Sequence, residues 1–243
     1  MSGEAAPSEL PDGRVDLLVF GPHPDDLEIG MAGTIARHAA LGHTVGLCDL
    51  TAGEMGSNGT PDERLAEAEL ARAVLGARWR VNLGLKDRAI GSGPDDVGAV
   101  VRLVRRTRPR TAAIPYWDDR HPDHVRASEL LTEAIFSAGL RRFGAGDAWR
   151  PDWVCYYFIN DHVAPSFLVD VTEHYETKRR ALACHRTQFT PSEGVQTRLT
   201  SIRFQQLIES RDAQFGAAID VGFAEGFVVR RPVERPGVLR DLP

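Results

Sequence analysis

The run VDLLVFG at Val15–Gly21 passes directly into PHPDDLE at Pro22–Glu28, and how these two stretches are read decides the fold. The first seven residues are almost continuously apolar and end in glycine. A run so short suits a strand buried on both faces, as in a parallel sheet. From Glu28 to Leu41 apolar and small residues recur at helical spacing, and Gly42 supplies the stop. Strand, turn and helix in that order form the opening unit of an α/β fold.

The alternation continues outward. HTVGLCDL at His43–Leu50 reads as a second strand, and the segment Thr51–Thr60, rich in Gly, Ser and Asn, as a loop. A helix over Asp62–Leu75 stops at Gly76, and Trp79–Leu83 follows as a third strand. Another helix over Asp95–Arg106 precedes the fourth strand, TAAIP at Thr111–Pro115. A polar stretch, Asp118–Asp123, then leads into a helix ending near Ala138. Beyond residue 150 strands are expected over Trp153–Ile159 and Phe167–Val171, with helices over Glu173–His185 and Arg198–Arg211. The pattern predicts a single α/β domain over residues 15–229, a Rossmann-like, mostly parallel sheet with helices on both faces. A flexible N-terminus over 1–14 and an irregular, proline-containing tail over 230–243 complete the expected organisation.

Composition narrows the function. The 243 residues are 42% hydrophobic, enough to bury one sizeable core. A formal net charge of -5 gives no electrostatic reason to expect nucleic acid or an anionic membrane as partner. There is no apolar run of about 18 residues, and Met1–Arg14 lacks the layout of a signal peptide. Cys48, Cys155 and Cys184 are far apart and odd in number, with no CxxC pair, which favours a reducing compartment. The expectation is a soluble, cytoplasmic protein.

The chemistry lies at the ends of strands, where open parallel sheets bind ligands. His23-Pro24-Asp25-Asp26 places an imidazole and two carboxylates within four residues, at the turn from the first strand into its helix. Aspartates alone are explained by a helix N-terminus; that reading leaves the histidine two residues earlier without a reason. Phosphate binding fails, because no GxGxxG or Walker sequence follows the strand and two aspartates repel a phosphate. A dinucleotide-dependent enzyme is therefore disfavoured. After the fourth strand comes Asp118-Asp119-Arg120-His121-Pro122-Asp123-His124. Pro122 suits the first helical position, with His121 as cap, and a spacing of three puts His121 and His124 on one side of the turn. Alone, this is two surface histidines near a helix start. Two such clusters at one edge of a sheet can share a cation, and two imidazoles with one carboxylate suit zinc with an open position.

At these residues the sequence resembles the LmbE/PIG-L family of zinc-dependent N-acetylglucosaminyl deacetylases. It is most similar to the bacillithiol-pathway branch, the N-acetylglucosaminyl-malate deacetylases called BshB. The likeness runs through His23–Ile35, Cys48–Thr51, Ser57–Thr60 with Arg64, Asp119–His124, His185–Phe189 and Glu225–Val228. Leu27 and Ala32 stand where the family often has valine and glycine. The resemblance implies His23, Asp26 and His124 as ligands of one Zn2+, Asp25 as the catalytic base, and a protonated His121 as stabiliser of the oxyanion. It further suggests Asn58, Arg64 and Arg120 as substrate contacts. Each has a plainer reading: a turn for Asn58, an exposed helix residue for Arg64, and an ion pair with Asp118 or Asp119 for Arg120. Asp123 is either an outer partner orienting a histidine or a helix-start carboxylate. The implied partner is a small N-acetylated amino sugar, GlcNAc-malate first. Chitobiose, a glycolipid or a glycopeptide are alternatives, and a noncatalytic metal- or sugar-binding protein is the rival from another class. A homo-oligomer, trimer or hexamer, is expected from the family.

Overall fold

The computed structural model describes residues 10–190 and 195–234. The outermost parts of the expected flexible N-terminus (1–9) and irregular tail (235–243) lie outside the described residues. A seven-stranded sheet forms the centre, in the order β3-β2-β1-β4-β5-β7-β6. The strands are β1 (Leu17–Gly21), β2 (Val45–Asp49), β3 (Trp79–Asn82), β4 (Thr111–Pro115), β5 (Trp153–Tyr157), β6 (Phe167–Asp170) and β7 (Ala224–Val228). The first five pair in parallel, while β7 runs antiparallel to both β5 and β6.

The helices are α1 (Asp26–Ala40), α2 (Pro61–Leu75), α3 (Asp96–Thr107), α4 (Pro122–Ala138), α5 (Tyr175–Cys184), the short α6 (Arg186–Phe189) and α7 (Ile202–Ala217). Side-chain alternation along β1 builds a core on each face. Leu18 and Phe20 pack with α3 and α4 through Leu103, Val104 and Leu131. Leu17 and Val19 pack with α1, α2 and α5 through Ile35, Ala71 and Ala181. This is the expected single α/β domain. Among the described residues no helix is long and apolar enough to cross a membrane. All three cysteines are free.

Several ends follow local chemistry. The Thr60 hydroxyl accepts from the Glu63 N–H while the Glu63 side chain accepts from the Thr60 N–H, a reciprocal cap for α2. Helix α7 starts at Ile202, later than expected, because Ser201 caps it and accepts from the Arg203 N–H. Helix α1 is interrupted at Met31, whose φ of −151° and ψ of 27° leave helical geometry. The backbone groups freed by this break are satisfied from elsewhere. Gly33 and Thr34 N–H donate to the Glu225 carboxylate at 3.0 and 2.7 Å. The Ile29 carbonyl accepts from Lys178 Nζ at 3.2 Å and from Arg211 Nη2 at 2.8 Å. At Gly30 the helix touches the sheet so closely that a Cβ would lie 2.2 Å from a Tyr157 ring carbon, so no side chain fits there.

The order of strands puts β1 beside β4, the place where the chain reverses its direction of travel across the sheet. The carboxyl ends of these two strands open a crevice. Both His/Asp motifs lie there.

Candidate metal centre

The turn after β1 is held against the strand beside it: Leu50 N–H donates to the Gly21 carbonyl at 2.8 Å and Thr51 N–H to the Pro22 carbonyl at 3.1 Å. His23, Asp25 and Asp26 therefore leave the sheet on a fixed support, and all three are buried. Asp25 has φ 123° and ψ −28°, a conformation that non-glycine residues seldom adopt. Such strain persists where the surroundings impose it, and it marks functional positions more often than others.

From the second motif, His121 caps α4 and His124 stands in its first turn. The two loops converge. His23 Nδ1 lies 3.0 Å from Asp26 Oδ2, and His124 Nε2 lies 3.3 Å from the same oxygen. One ligand atom from each of His23, Asp26 and His124 falls within 4.8 Å of the others, so a single ion can be held by all three. A second grouping, His23, His121 and Asp123, meets the same criterion. Two nitrogens and one carboxylate oxygen form a donor set that fits zinc.

The electrostatics favour a cation as well. Burial opposes charge on His23, but the carboxylates of Asp123, Asp26 and Asp87 overcome it and hold its pKa well above the ordinary value. His124 behaves alike: burial lowers its pKa, Asp26 and Asp119 raise it further, and it stands at about 9. The carboxylates that draw protons onto these rings would attract a metal ion to the same point. Asp25 differs. Burial pushes its carboxyl up to about 6, against the pull of the Arg64 guanidinium.

The structure also corrects the sequence reading. His121 Nδ1 accepts the Asp123 N–H at 3.2 Å, so that nitrogen carries no proton and Nε2–H is the donor. Burial, then the positive charges of His124 and His23, lower the His121 pKa. Both influences disfavour a charge on this ring. Asn58 does not line the cavity. Its amide is taken up by Val195, donating to that carbonyl at 2.9 Å and accepting from its N–H at 2.8 Å. Arg64 is buried, not exposed, and lines the cavity, but its guanidinium donates to the Gly53 carbonyl at 2.9 Å and the Pro24 carbonyl at 2.8 Å. It also reaches Asp25 Oδ2 at 3.4 Å, so it braces the strained turn. Gly53 has φ +67°, and a Cβ there would collide with this guanidinium. Arg120 lines the cavity and makes no ion pair with Asp118 or Asp119. Asp123 faces His23 Nε2 at 3.5 Å and also pairs with Arg88 and Arg126, each at 3.2 Å.

Four residues at the site were given no catalytic, metal or substrate role by the sequence reading. Asp87, in the loop after β3, lies 3.3 Å from His23 Nε2. Asp119 accepts from His124 Nδ1 at 3.0 Å and so fixes that ring's orientation. Asn160, just past β5, donates to Asp119 Oδ1 at 3.0 Å and stands 3.4 Å from His124 Nδ1. Arg198 lines the same cavity, of about 530 Å³. The first three follow the carboxyl ends of strands, and that placement is the signal that points to them.

Residues 18–135, which hold both motifs, match the family described as PIG-L, GlcNAc-PI de-N-acetylase. A deacetylase of 1D-myo-inositol 2-acetamido-2-deoxy-alpha-D-glucopyranoside from Rhodococcus opacus is 34% identical over 72% of this chain and 82% of its own length. The chain belongs to the PIG-L family. A diacetylchitobiose deacetylase of Thermococcus kodakarensis is 30% identical, over 71% of this chain and 70% of its own. A probable N-acetyl-alpha-D-glucosaminyl L-malate deacetylase of Bacillus anthracis is 28% identical, over 71% and 80%. Among solved structures, the conserved protein TT1542 from Thermus thermophilus superposes with a TM-score of 0.85 at 37% identity, covering 93% of this chain and all of that one. This PIG-L member is accordingly an amide hydrolase.

Proposed function

We propose that the protein removes the acetyl group from an N-acetylglucosamine derivative, with Zn2+ held by His23, Asp26 and His124. The observation that carries this reading is a spare, buried carboxylate, Asp25, beside a three-donor cation site at the floor of an open cavity. A protein that only bound a metal or a sugar would have no use for it.

An amide resists water because its carbonyl is weakly electrophilic and its nitrogen leaves poorly. A divalent ion held by these three donors would supply Lewis acidity to the carbonyl and to a water molecule. Asp25 takes the proton from that water and hands it to the departing amine, work for which a carboxyl raised by burial suits neutral pH. Arg64 holds the turn that aims Asp25. His121 gives its Nε2–H to the carbonyl oxygen as negative charge grows there, a contribution typically worth about 3 kcal/mol. Asp119 and Asn160 keep the His124 ring turned so that Nε2 faces Asp26.

Within this chemistry we favour GlcNAc-malate, as in bacillithiol biosynthesis, because the cavity carries arginines for an acidic aglycone. Relatives named for inositol, chitobiose and malate glycosides leave chitobiose or another glycoside as the second reading. We further propose a cytoplasmic homo-oligomer, a trimer or a hexamer. The test is acetate release from GlcNAc-malate, plain GlcNAc and diacetylchitobiose, assayed side by side with the zinc-loaded protein. Turnover highest on GlcNAc-malate supports the reading. Acetate from none of the three sinks it.

A further inference from the structure

Two stretches of chain far apart in sequence line the outer part of the cavity, and one asparagine joins them. Met55, Gly56 and Ser57 come from the loop after β2, and Thr197, Arg198 and Leu199 from the segment before α7. The link is the Asn58 side chain. Its amide donates to the Val195 carbonyl at 2.9 Å, and its Oδ1 accepts the Val195 N–H at 2.8 Å. A carboxamide carries the same donor and acceptor as a peptide unit, so it grips a backbone at two points as a neighbouring strand would.

Asn58 itself is firmly seated. It is buried, although Ser57 and Gly59 on either side are exposed. Its backbone carbonyl accepts from Gln188 Nε2 at 2.7 Å, and Gln188 also lines the cavity. Beside it, Thr187 bonds Glu67 of α2 through its N–H at 2.8 Å and its hydroxyl at 2.7 Å. The loop after β2 thus rests on α6 and, through it, on α2. Val195 has less support of its own. Among the described residues its backbone groups bond only to the Asn58 side chain, and its own side chain is 63% exposed. The next ties come at Thr197, which bonds Thr200, and at Arg198, which reaches Asn160 at 3.4 Å.

We infer that Asn58 is a positioning residue for the sugar, a latch that holds the segment before α7 at a fixed separation from the loop after β2. The inference rests on the proposed sugar substrate. A residue expected from the sequence to touch the sugar acts on it through two other stretches of chain. With its acetamide at the metal, the substrate lays its remaining groups against the outer lining, which these two stretches supply. Asn58 makes no hydrogen bond to His23, Asp25, Asp26 or His124. Without the latch, binding must order the freed segment, and that cost falls on affinity rather than on the chemical step.

The experiment separates KM from kcat. Acetate release by the zinc-loaded full chain, on the glycoside it hydrolyses fastest, compares the unaltered protein with Asn58→Ala and Val195→Pro. The first substitution removes both bonds. The second removes only the N–H that Asn58 accepts, at an exposed side chain, and Val195→Ala is the reference against which it is read. KM is expected to rise about tenfold in Asn58→Ala and by a smaller factor in Val195→Pro, with kcat and zinc per chain within about twofold of the unaltered protein. Hydrogen exchange of the Val195 amide should quicken at least about tenfold in Asn58→Ala, a readout that needs no turnover. An unchanged KM, an unchanged exchange rate, or a loss of zinc and kcat in step with the rise in KM overturns the latch. If Asn58→Ala does not fold, the KM of Val195→Pro against that of Val195→Ala decides. If no glycoside releases acetate, the deacetylase reading fails by itself, and exchange at Val195 still decides the latch.

Discussion

Two clusters of buried charge flank helix α1, and they are built differently. Beneath its break, Lys178 and Arg211 face Asp212 and Glu225, with Lys178 Nζ 2.8 Å from Asp212 and 2.7 Å from Glu225. Two cations meet two anions, and the surplus donors close on carbonyls of the helix and of Phe158 and Ile159. At the other end, Asp25, Asp26, Asp87, Asp119 and Asp123 surround His23 and His124, and among the described residues the arginines paired with them are Arg64, Arg88 and Arg126. A balanced cluster holds architecture in place. An acid-rich cluster around imidazoles calls for a cation from outside. Buried charge by itself says little about function; its balance says more.

The comparison can be broken most decisively at the acid-rich end. Asp26→Asn should abolish zinc binding and lower kcat/KM by about a thousandfold or more, read from metal analysis and acetate release. His121→Ala should leave the metal content intact and cost about a hundredfold to a thousandfold in kcat, as loss of a single oxyanion donor does. In the balanced cluster, Lys178→Met should remove about 3–5 kcal/mol of stability in denaturant unfolding, because it strands two buried carboxylates. Metal content per folded molecule should stay near that of the unaltered protein. If Lys178→Met lost metal as readily as Asp26→Asn, the two clusters would not be separable.

A smaller effect sharpens the same contrast through pH. Glu28 is fully buried and lies 2.6 Å from Arg80. Burial raises its pKa, but Arg80 and His185 prevail and hold it at about 2, below its ordinary 4.5. A carboxyl depressed on folding contributes stability above its unfolded pKa, and that contribution is lost as pH falls through the folded value. Stability should therefore decline between about pH 4.5 and pH 2. Glu28→Gln should flatten that part of the profile, measured by thermal unfolding across the acid range.

Much of this was legible in the sequence, and for physical reasons. Strands β1 and β4 are short, apolar and bounded by turn residues, and α4 begins at a proline preceded by its cap. Strand β7 escaped because AEGFV carries the acid Glu225, and the partners that make an acid tolerable there, Lys178 and the Gly33 and Thr34 N–H groups, are distant in sequence. The break in α1 escaped for the same reason, since the carboxylate that caps its second half lies almost two hundred residues away. In the site, His23, Asp26 and His124 stood out because imidazoles beside carboxylates are rarely adjacent without cause. Asp87, Asn160 and Arg198 are lone polar residues in loops, and only the sheet edge gathers them. A turn-forming asparagine and a sugar-binding one look alike in sequence, and the pairing of the Asn58 amide with Val195 is seen only in the fold.

The central claim is that Asp25 is a base distinct from the ligands beside it. Asp25→Asn, purified alongside the unaltered protein, tests it in one paired measurement of zinc stoichiometry and acetate release from GlcNAc-malate. The account predicts one zinc per chain in both proteins and a fall in kcat of about a hundredfold to ten-thousandfold in the variant. Full zinc with undiminished acetate release from the variant would contradict it.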